Sequence, residues 1–160
     1  MDFCLDNDNY ELTLSGYLEE SSKLPGKLPL EKDQALYIDF EELKFINSGG
    51  IKSWVNFAKY IEKFDDTTIV YKNCHRVIID QINLVNGLLP NNATALSLYV
   101  PVFCSKCEKS YELFQLVHQI SDNFDSILKR VTPASCISAE VCQSLEIDIF
   151  PELYFKFLSN

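Results

Sequence analysis

The feature that most constrains the fold is a change of hydrophobic period near the middle of the chain. Leu36, Ile38 and Phe40 are separated by single residues, which is the spacing of a strand with one buried face. The sequence Asn-Ser-Gly-Gly follows at residues 47–50. The pattern therefore predicts a central strand over residues 36–40 and a helix over 51–63. The apolar residues at helical spacing are Ile51, Trp54, Val55, Ala58, Ile61 and Phe64, and the first five are expected to form the buried face.

Strand and helix patterns alternate over the first hundred residues. "YELTLSGYLEE" predicts a strand with Gly16 as a bulge or turn, and "TTIVYKN" and "ATALSLYVPVF" predict two more strands. "HRVIIDQINLVNG" predicts a second helix that stops at Gly87, with Ile78, Ile82 and Val85 on its apolar stripe. This order predicts an α/β fold with a mixed, largely parallel sheet and helices packed on it. We expect this domain at residues 1–100, with a small α+β extension at 101–160 that contains cysteines and packs on it.

The composition excludes several classes of protein. A chain of 160 residues with 47% hydrophobic and 23% charged residues has the composition of one globular domain. The 14 Lys and Arg residues against 23 Asp and Glu residues give a net charge of -9, which disfavours nucleic acid because its phosphates would be repelled. "MDFCLDNDNYEL" lacks the basic and apolar regions of a signal peptide, and no stretch approaches the roughly 20 apolar residues of a membrane span. We expect a cytoplasmic protein without membrane contact.

The polar turn between the predicted strand and helix is a candidate site. Open α/β sheets place ligands at the carboxyl ends of their strands, where this turn is expected. Asn47 or Ser48 can cap the helix, because their side-chain oxygens accept bonds from its first backbone N–H groups. Gly49 and Gly50 let the backbone turn and leave those groups uncovered. Such a helix N-terminus stabilises a bound negative charge.

The stretch "ALYIDFEELKFINSGGIKSWVNF" resembles the signature of the STAS domain, the fold of bacterial anti-sigma-factor antagonists. The resemblance covers roughly residues 8 to 100. Ser48 falls on the serine that is phosphorylated in that family, and Gly50 falls on its glycine. Asn47 stands where the family has Asp, and Gly49 stands where it has a second Ser. The resemblance implies a non-enzymatic signalling or scaffolding module, in which phosphorylation of the serine expels the partner by charge.

On this basis we expect the chain to bind a protein partner, such as a kinase-like anti-sigma factor, through the Ser48 loop and the first helix. Lys52, Lys59 and Lys63 fall on the polar face of that helix, which favours a partner with an acidic patch. One alternative is that Ser48 serves only as a helix cap. The other is a small-ligand sensor domain that binds an anion at Gly49-Gly50, for which a pocket with convergent polar groups would be evidence.

Four of the six cysteines form two pairs in the C-terminal third. Cys104 and Cys107 form a C-x-x-C arm, while Cys136 and Cys142 form a C-x5-C pair. Four thiolates can hold one tetrahedral zinc ion, and a divergent STAS-like subset with C-terminal cysteine knuckles has a similar arrangement. Cys136 is displaced by three residues from the usual spacing, and His118 is a substitute ligand or a surface helix residue. The alternatives are cysteines that pack as small hydrophobes, or disulfide or redox chemistry.

No catalytic arrangement is evident in the sequence. Cys74 and His75 are adjacent, but adjacency does not make a thiol–imidazole dyad, and no Gly-rich phosphate-binding loop is present. We therefore expect no enzymatic activity. Trp54 is expected in the core. Four aromatic residues near the C-terminus are expected to pack, with an exposed patch for a partner as the alternative: Phe150, Tyr154, Phe155 and Phe157.

Overall fold

The structure is a computed structural model that describes residues 2–6, 9–30, 33–64, 66–120 and 145–159. Its strands are β1 (Asp2–Asp6), β2 (Asn9–Leu18), β3 (Ala35–Ile46), β4 (Thr68–Lys72), β5 (Ala93–Ala95), β6 (Ser97–Cys104), β7 (Lys109–Leu116) and β8 (Leu145–Ile147). Its helices are α1 (Ser48–Ile61), α2 (Arg76–Leu84) and α3 (Pro151–Tyr154), with 3-10 turns at Val117–Gln119 and Lys156–Ser159.

The main sheet has five strands in the order β1-β2-β3-β4-β5, so β3 is central as predicted. β2 through β5 run parallel, and β1 is antiparallel to β2. Leu12 pairs with Ile38, and Ile38 pairs with Tyr71, which aligns the apolar residues of three strands on one face. The chain is thus a mixed α/β protein with a four-stranded parallel core sheet.

β3 covers the whole stretch "ALYIDFEELKFI", which includes the central strand predicted at residues 36–40, and its pairing with β2 is irregular. The register against β2 shifts between Thr13 and Ser15 and again between Gly16 and Tyr17. Gly16 has φ +71° and lies at the second shift, so the predicted irregularity is present there, although the extra residue, Lys44, belongs to β3. These shifts break the two-residue alternation after Phe40, and the next buried residues of the strand are Leu43 and Ile46.

α1 begins at Ser48, three residues earlier than predicted, and ends at Ile61. Trp54, Ala58 and Ile61 are buried as predicted, but Ile51 and Val55 are only partly buried. Phe57 is 5% exposed, although the predicted buried face did not include it. The reason is that the preceding loop covers this flank of the helix: the buried Leu28 donates its N–H to the hydroxyl oxygen of Tyr60 at 3.0 Å.

Trp54 lies in the core, as predicted, and its polar atom is satisfied there. Its Nε1–H lies 3.0 Å from the carbonyl oxygen of Leu88 and 3.2 Å from the hydroxyl of Tyr71. The Tyr71 hydroxyl donates to the same carbonyl at 2.9 Å. Phe40 packs against both rings. This buried network fixes α1 against the centre of the sheet.

The second predicted helix is confirmed as α2. Ile78 and Ile79 are buried, whereas Ile82 and Val85, assigned to the same stripe by the sequence, are partly buried. The helix ends at Leu84 with Val85 as an extended C-cap, so the predicted stop at Gly87 falls later than the observed end; Gly87, with φ +81°, lies in the turn that follows.

A second, antiparallel sheet with the order β7-β6-β8 follows the parallel one. β5 and β6 form one nearly continuous stretch that passes from the first sheet to the second, since Leu96 donates its N–H to Tyr71 and Cys74 bridges Leu98. The amphipathic residues 109–116 form β7, and His118 lies exposed in a 3-10 turn rather than on an α-helix. None of the described helices has the length and apolar character needed to cross a membrane.

The C-terminal residues pack on the same core as the parallel sheet. Tyr154, Phe155 and Phe157 are buried, as predicted, while Phe150 is 75% exposed. Tyr154 donates its hydroxyl proton to the carbonyl of Tyr99 at 2.6 Å. Residues 154–157 therefore belong to the same core as the parallel sheet.

Candidate functional site

The junction between β3 and α1 is held by Asn47, which is the N-cap of the helix. Its side-chain oxygen accepts the N–H of Gly50 at 2.8 Å, and its backbone carbonyl accepts the N–H of Ile51 at 2.8 Å. Its own N–H donates to the carbonyl of Leu18 at 3.2 Å, which ties the helix start to the end of β2. Of the two capping candidates in the sequence, Asn47 alone fills the role.

Gly49 and Gly50 are required by close packing against the end of β2 rather than by the need for a turn. A Cβ on Gly50 would overlap the carbonyl oxygen of Leu18 and lie 2.5 Å from its carbonyl carbon. A Cβ on Gly49 would lie 2.7 Å from the Cβ of Glu20. Both glycines belong to the helix, and the end of β2 lies against them. The first backbone N–H groups of the helix are therefore partly covered, whereas the sequence suggested that they were open.

Ser48 occupies the first helical position and is exposed. In the part of the chain that the structure describes, no hydrogen bond of its hydroxyl is seen, because Asn47 supplies the cap. The expectation that Ser48 serves only as a cap is therefore wrong. Its hydroxyl projects from the surface at the positive end of the α1 dipole.

Lysines lie along the outer face of α1, with Lys52 near this junction and Lys59 in the last turn. Lys52 and Lys59 are exposed on the helix, and Lys63 is exposed just beyond its end. Over the described ranges, no acidic side chain forms an ion pair with any of the three. The predicted basic strip therefore exists as a surface feature.

An exposed aromatic pair adjoins the same junction and was missed by the sequence-based reasoning. Tyr17 is 65% exposed and Phe45 is 48% exposed. They are register partners on β2 and β3, with ring centroids 6.1 Å apart. The alternation of β2 predicts that the side chain of Tyr17 points outward. The alternation of β3 makes no such prediction for Phe45, because Phe45 follows the register shifts.

The junction between β4 and α2 has a different arrangement around His75. The ring Nδ1 lies 2.9 Å from a Glu112 carboxylate oxygen on β7, and Nε2 lies 3.1 Å from the carbonyl oxygen of Glu41 on β3. Both partners are acceptors, so the ring satisfies both as an imidazolium. The hydrogen bond to Glu112 is the main cause that raises the pKa of His75 above its usual range, against the effect of burial.

The ring of His75 also stacks on Tyr99, with centroids 4.2 Å apart and planes within 5°. Tyr99 donates its hydroxyl proton to the Glu41 carboxylate at 2.7 Å, and burial together with this bond raises its pKa to about 12. Cys74 is fully buried, and burial raises the pKa of its thiol. A protonated, enclosed thiol is a poor nucleophile, which agrees with the rejection of a Cys74–His75 dyad.

Cys104 and Cys107 lie at the tip of the β6–β7 hairpin. Cys104 is buried, and its Sγ accepts the N–H of Cys107 at 3.4 Å. Glu108 follows with φ +53°, a conformation that favours glycine. No group of three metal-ligating side chains is found among the described residues, and Cys136 and Cys142 lie outside them.

His118 lies at the opposite end of the hairpin from the cysteines. Leu116 pairs with Ser97 while Lys109 pairs with Cys104, so the length of β7, roughly 23 Å at the usual rise, separates the two ends. The prediction that His118 could serve as a zinc ligand together with Cys104 and Cys107 is therefore wrong.

A cavity of about 580 Å³ lies between the end of α2, β5 and the C-terminal turn. Asn83, Thr94 and Phe157 are among its lining residues, and Gly49 and Gly50 are not. Among protein-family models, curated proteins and solved structures, none matches this chain.

Proposed function

We propose that the chain is a non-enzymatic, STAS-like signalling or scaffolding module that binds a protein partner through the surface formed by Ser48 and α1. The observation that carries this proposal is that the cap and the exposed hydroxyl at the start of α1 belong to two different residues. Asn47 caps the helix, which leaves the adjacent Ser48 exposed and without a structural task in the described residues. The resemblance to STAS domains also implies a bacterial protein, and we propose a cytoplasmic location for it.

Phosphorylation of Ser48 is the regulation that this geometry favours. A phosphate adds about -1.5 to -2 charges, and the helix dipole at the first turn stabilises a negative charge by roughly 0.3–1 kcal/mol at exposed sites. The free protein can therefore carry the modification. A partner with an acidic patch, attracted by Lys52 and Lys59, would be repelled by the same phosphate.

The test is affinity purification of the partner with wild-type protein, followed by affinity measurements on Ser48→Asp and Ser48→Ala. We expect Ser48→Asp to weaken binding more than Ser48→Ala does. Ser110→Asp is the matched control, because Ser110 is exposed on β7, away from α1. Equal affinities for the two Ser48 variants would contradict regulation at this residue.

The alternative function, anion sensing at Gly49-Gly50, has less support. The N–H of Gly50 is already bonded to Asn47, and the end of β2 with Glu20 lies against Gly49. The backbone at this position is therefore partly covered, whereas an anion site at a helix N-terminus requires free N–H groups. The cavity of about 580 Å³ is lined by other parts of the chain.

We also propose that the extension carries a structural zinc ion bound by Cys104, Cys107, Cys136 and Cys142. The hairpin geometry supports this, since an N–H donated to the first sulfur stabilises a thiolate. Cys142 precedes Leu145 by three residues, and Leu145 pairs with Cys104, so about 11 Å of chain can join Cys142 to the hairpin tip. Bound zinc would crosslink the hairpin to the C-terminal segment.

Elemental analysis of protein purified without chelator tests the metal proposal. We expect close to one zinc per chain, with sulfur scatterers about 2.3 Å from the ion by X-ray absorption. Chelation should loosen the C-terminal third more than the parallel sheet, because metal binding is folding free energy for the segment it holds. Protein that contains no zinc would overturn this proposal and leave the cysteines as small buried side chains.

A further inference from the structure

A cleft of about 320 Å³ lies along α1, between the helix and residues 22–26. We call it the α1 cleft. Leu24 and Pro25 form part of one wall, and the other wall consists of Ser53, Asn56, Phe57 and Tyr60. The four helical residues are spaced at i, i+3, i+4 and i+7, so they share one face of α1, next to the stripe that contains Lys52 and Lys59.

The walls of the α1 cleft are fixed by the surrounding structure. Phe57 is 5% exposed and packs against the buried ring of Trp54, with centroids 5.3 Å apart. The Tyr60 hydroxyl oxygen accepts the N–H of Leu28, which anchors the far end of the loop to the helix. A cleft whose walls are already ordered binds without the entropic cost of assembling them.

The size and lining of the cleft suit a side chain of a protein rather than a cofactor. Ligand pockets usually measure about 300–1,000 Å³, and this one lies at the lower limit. Its walls combine apolar surface from Leu24, Pro25 and Phe57 with the hydroxyl of Ser53 and the amide of Asn56. Protein interfaces place their strongest contacts in such pockets, each filled by one aromatic or aliphatic anchor.

Four exposed lysines lie around the cleft on a protein whose net charge is -9, with Glu19 and Glu20 exposed just before the loop wall. Lys23 and Lys27 are exposed and flank the loop wall in sequence, while Lys52 and Lys59 are exposed on the helix. None of these four forms an ion pair with another described side chain. The cleft thus has a mixed apolar and polar lining, and lysines outnumber the nearby glutamates by four to two.

We propose that the α1 cleft receives one large apolar side chain of the protein partner, and that carboxylates flanking this side chain bind the surrounding lysines. This inference rests on the proposed function, because it states the chemistry of the partner expected at α1. The apolar anchor accounts for affinity and the carboxylates for orientation and rapid encounter.

Selection of a phage-displayed random peptide library on the full-length protein tests the inference and does not require the purified partner. We expect enriched peptides to share one Leu, Met, Phe or Trp flanked by Asp or Glu. Asn56→Trp, which fills the cleft from its helical wall, should lower their affinity at least tenfold. Asn86→Trp places the same side chain at an exposed site outside the cleft and should leave the affinity unchanged.

Charge reversal separates the two parts of the proposal. Lys59→Glu should lower the affinity for the selected peptides several-fold and reduce the salt dependence of binding. Lys109→Glu on β7 should leave both the affinity and its salt dependence unchanged. Selected peptides that lack the acidic-apolar pattern, or that bind Asn56→Trp as tightly as wild type, would overturn the inference. Vesicles with anionic lipid that bind the wild type but not Asn56→Trp would overturn it too, since the cleft would then recognise a membrane.

The failure of this inference can be distinguished from the failure of the proposed function. If Ser48→Asp lowers the affinity for the purified partner but Asn56→Trp does not, the cleft proposal is wrong and the proposed function of the module stands. If Asn56→Trp weakens the partner and Ser48→Asp does not, the cleft stands and regulation at Ser48 is wrong.

Discussion

Two strand-to-helix junctions lie at the same edge of the parallel sheet, and they are built in opposite ways. At the β3–α1 junction, Asn47 caps the helix and Ser48 remains exposed. At the β4–α2 junction, the N-cap residue His75 makes no capping bond with its side chain. Its ring instead binds Glu112 and Glu41 and stacks on Tyr99.

The difference indicates which edge position is available to a partner. The second sheet contributes Tyr99 and Glu112 from its β6–β7 hairpin, so the second junction is already occupied by the chain itself. The first junction is closed internally by Asn47 and the end of β2, and its outer surface carries Ser48 with exposed aromatic and lysine side chains. A similar strand–turn–helix order therefore supplies internal packing at one site and a free surface at the other.

The largest expected effect comes from Gly50, which tests how tightly the first junction is closed. Gly50→Ala should destabilise the protein by about 3 kcal/mol, because its Cβ would overlap the carbonyl of Leu18, which the sheet holds in place. Urea denaturation measures the change. Gly26→Ala is the matched control, since no atom lies within 4 Å of the added Cβ. Similar stabilities for the two variants would mean that β2 does not press on the helix start.

The next effect separates the roles of Asn47 and Ser48. Asn47→Ala should cost about 1 kcal/mol through loss of the cap, whereas Ser48→Ala should change stability by less than about 0.5 kcal/mol. Thermal melts of both variants at the same pH provide the measurement. A larger loss in Ser48→Ala than in Asn47→Ala would reverse the assignment on which the exposed serine depends.

The smallest effect is a pH dependence confined to the second junction. Because the folded pKa of His75 is raised, the folded state binds its proton more tightly, and this stabilisation is complete below the unfolded pKa of about 6.5. It is lost as the pH rises through the folded value. Glu112 is 43% exposed, so we expect less than about 1 kcal/mol.

The measurement is the change in unfolding free energy from pH 6 to pH 9 for wild type and His75→Gln. The wild type should lose more stability than the variant over this range. Parallel curves for the two proteins would show that the ring carries no extra proton in the folded state.

Much of the parallel sheet could be predicted from the sequence because its signals are local. The alternation of Leu36, Ile38 and Phe40 and the helical spacing after Ile51 each depend on a few neighbouring residues. The predicted buried face of α1 omitted Phe57, which lies on the flank where the loop contacts the helix through the bond from Leu28 to Tyr60. Spacing within the helix holds no information about that contact.

The candidate site was predicted in part for the same reason. Asn47, Gly49 and Gly50 have roles that follow from their residue types, although the requirement for Gly50 arises from Leu18, 32 positions earlier. The binding of His75 by Glu112 across 37 positions could not be read from the sequence, because it depends on how the β6–β7 hairpin meets the parallel sheet. Long-range polar contacts of this kind require the fold itself.

Hydrogen–deuterium exchange of the purified partner complex tests most directly whether the β3–α1 junction is the binding surface. We predict that the partner slows exchange in residues 47–60 and in the loop at 22–26, and leaves residues 74–80 and 109–114 unchanged. Protection confined to the second pair of segments would contradict the account, because it would place the partner on the junction that His75, Tyr99 and Glu112 already fill.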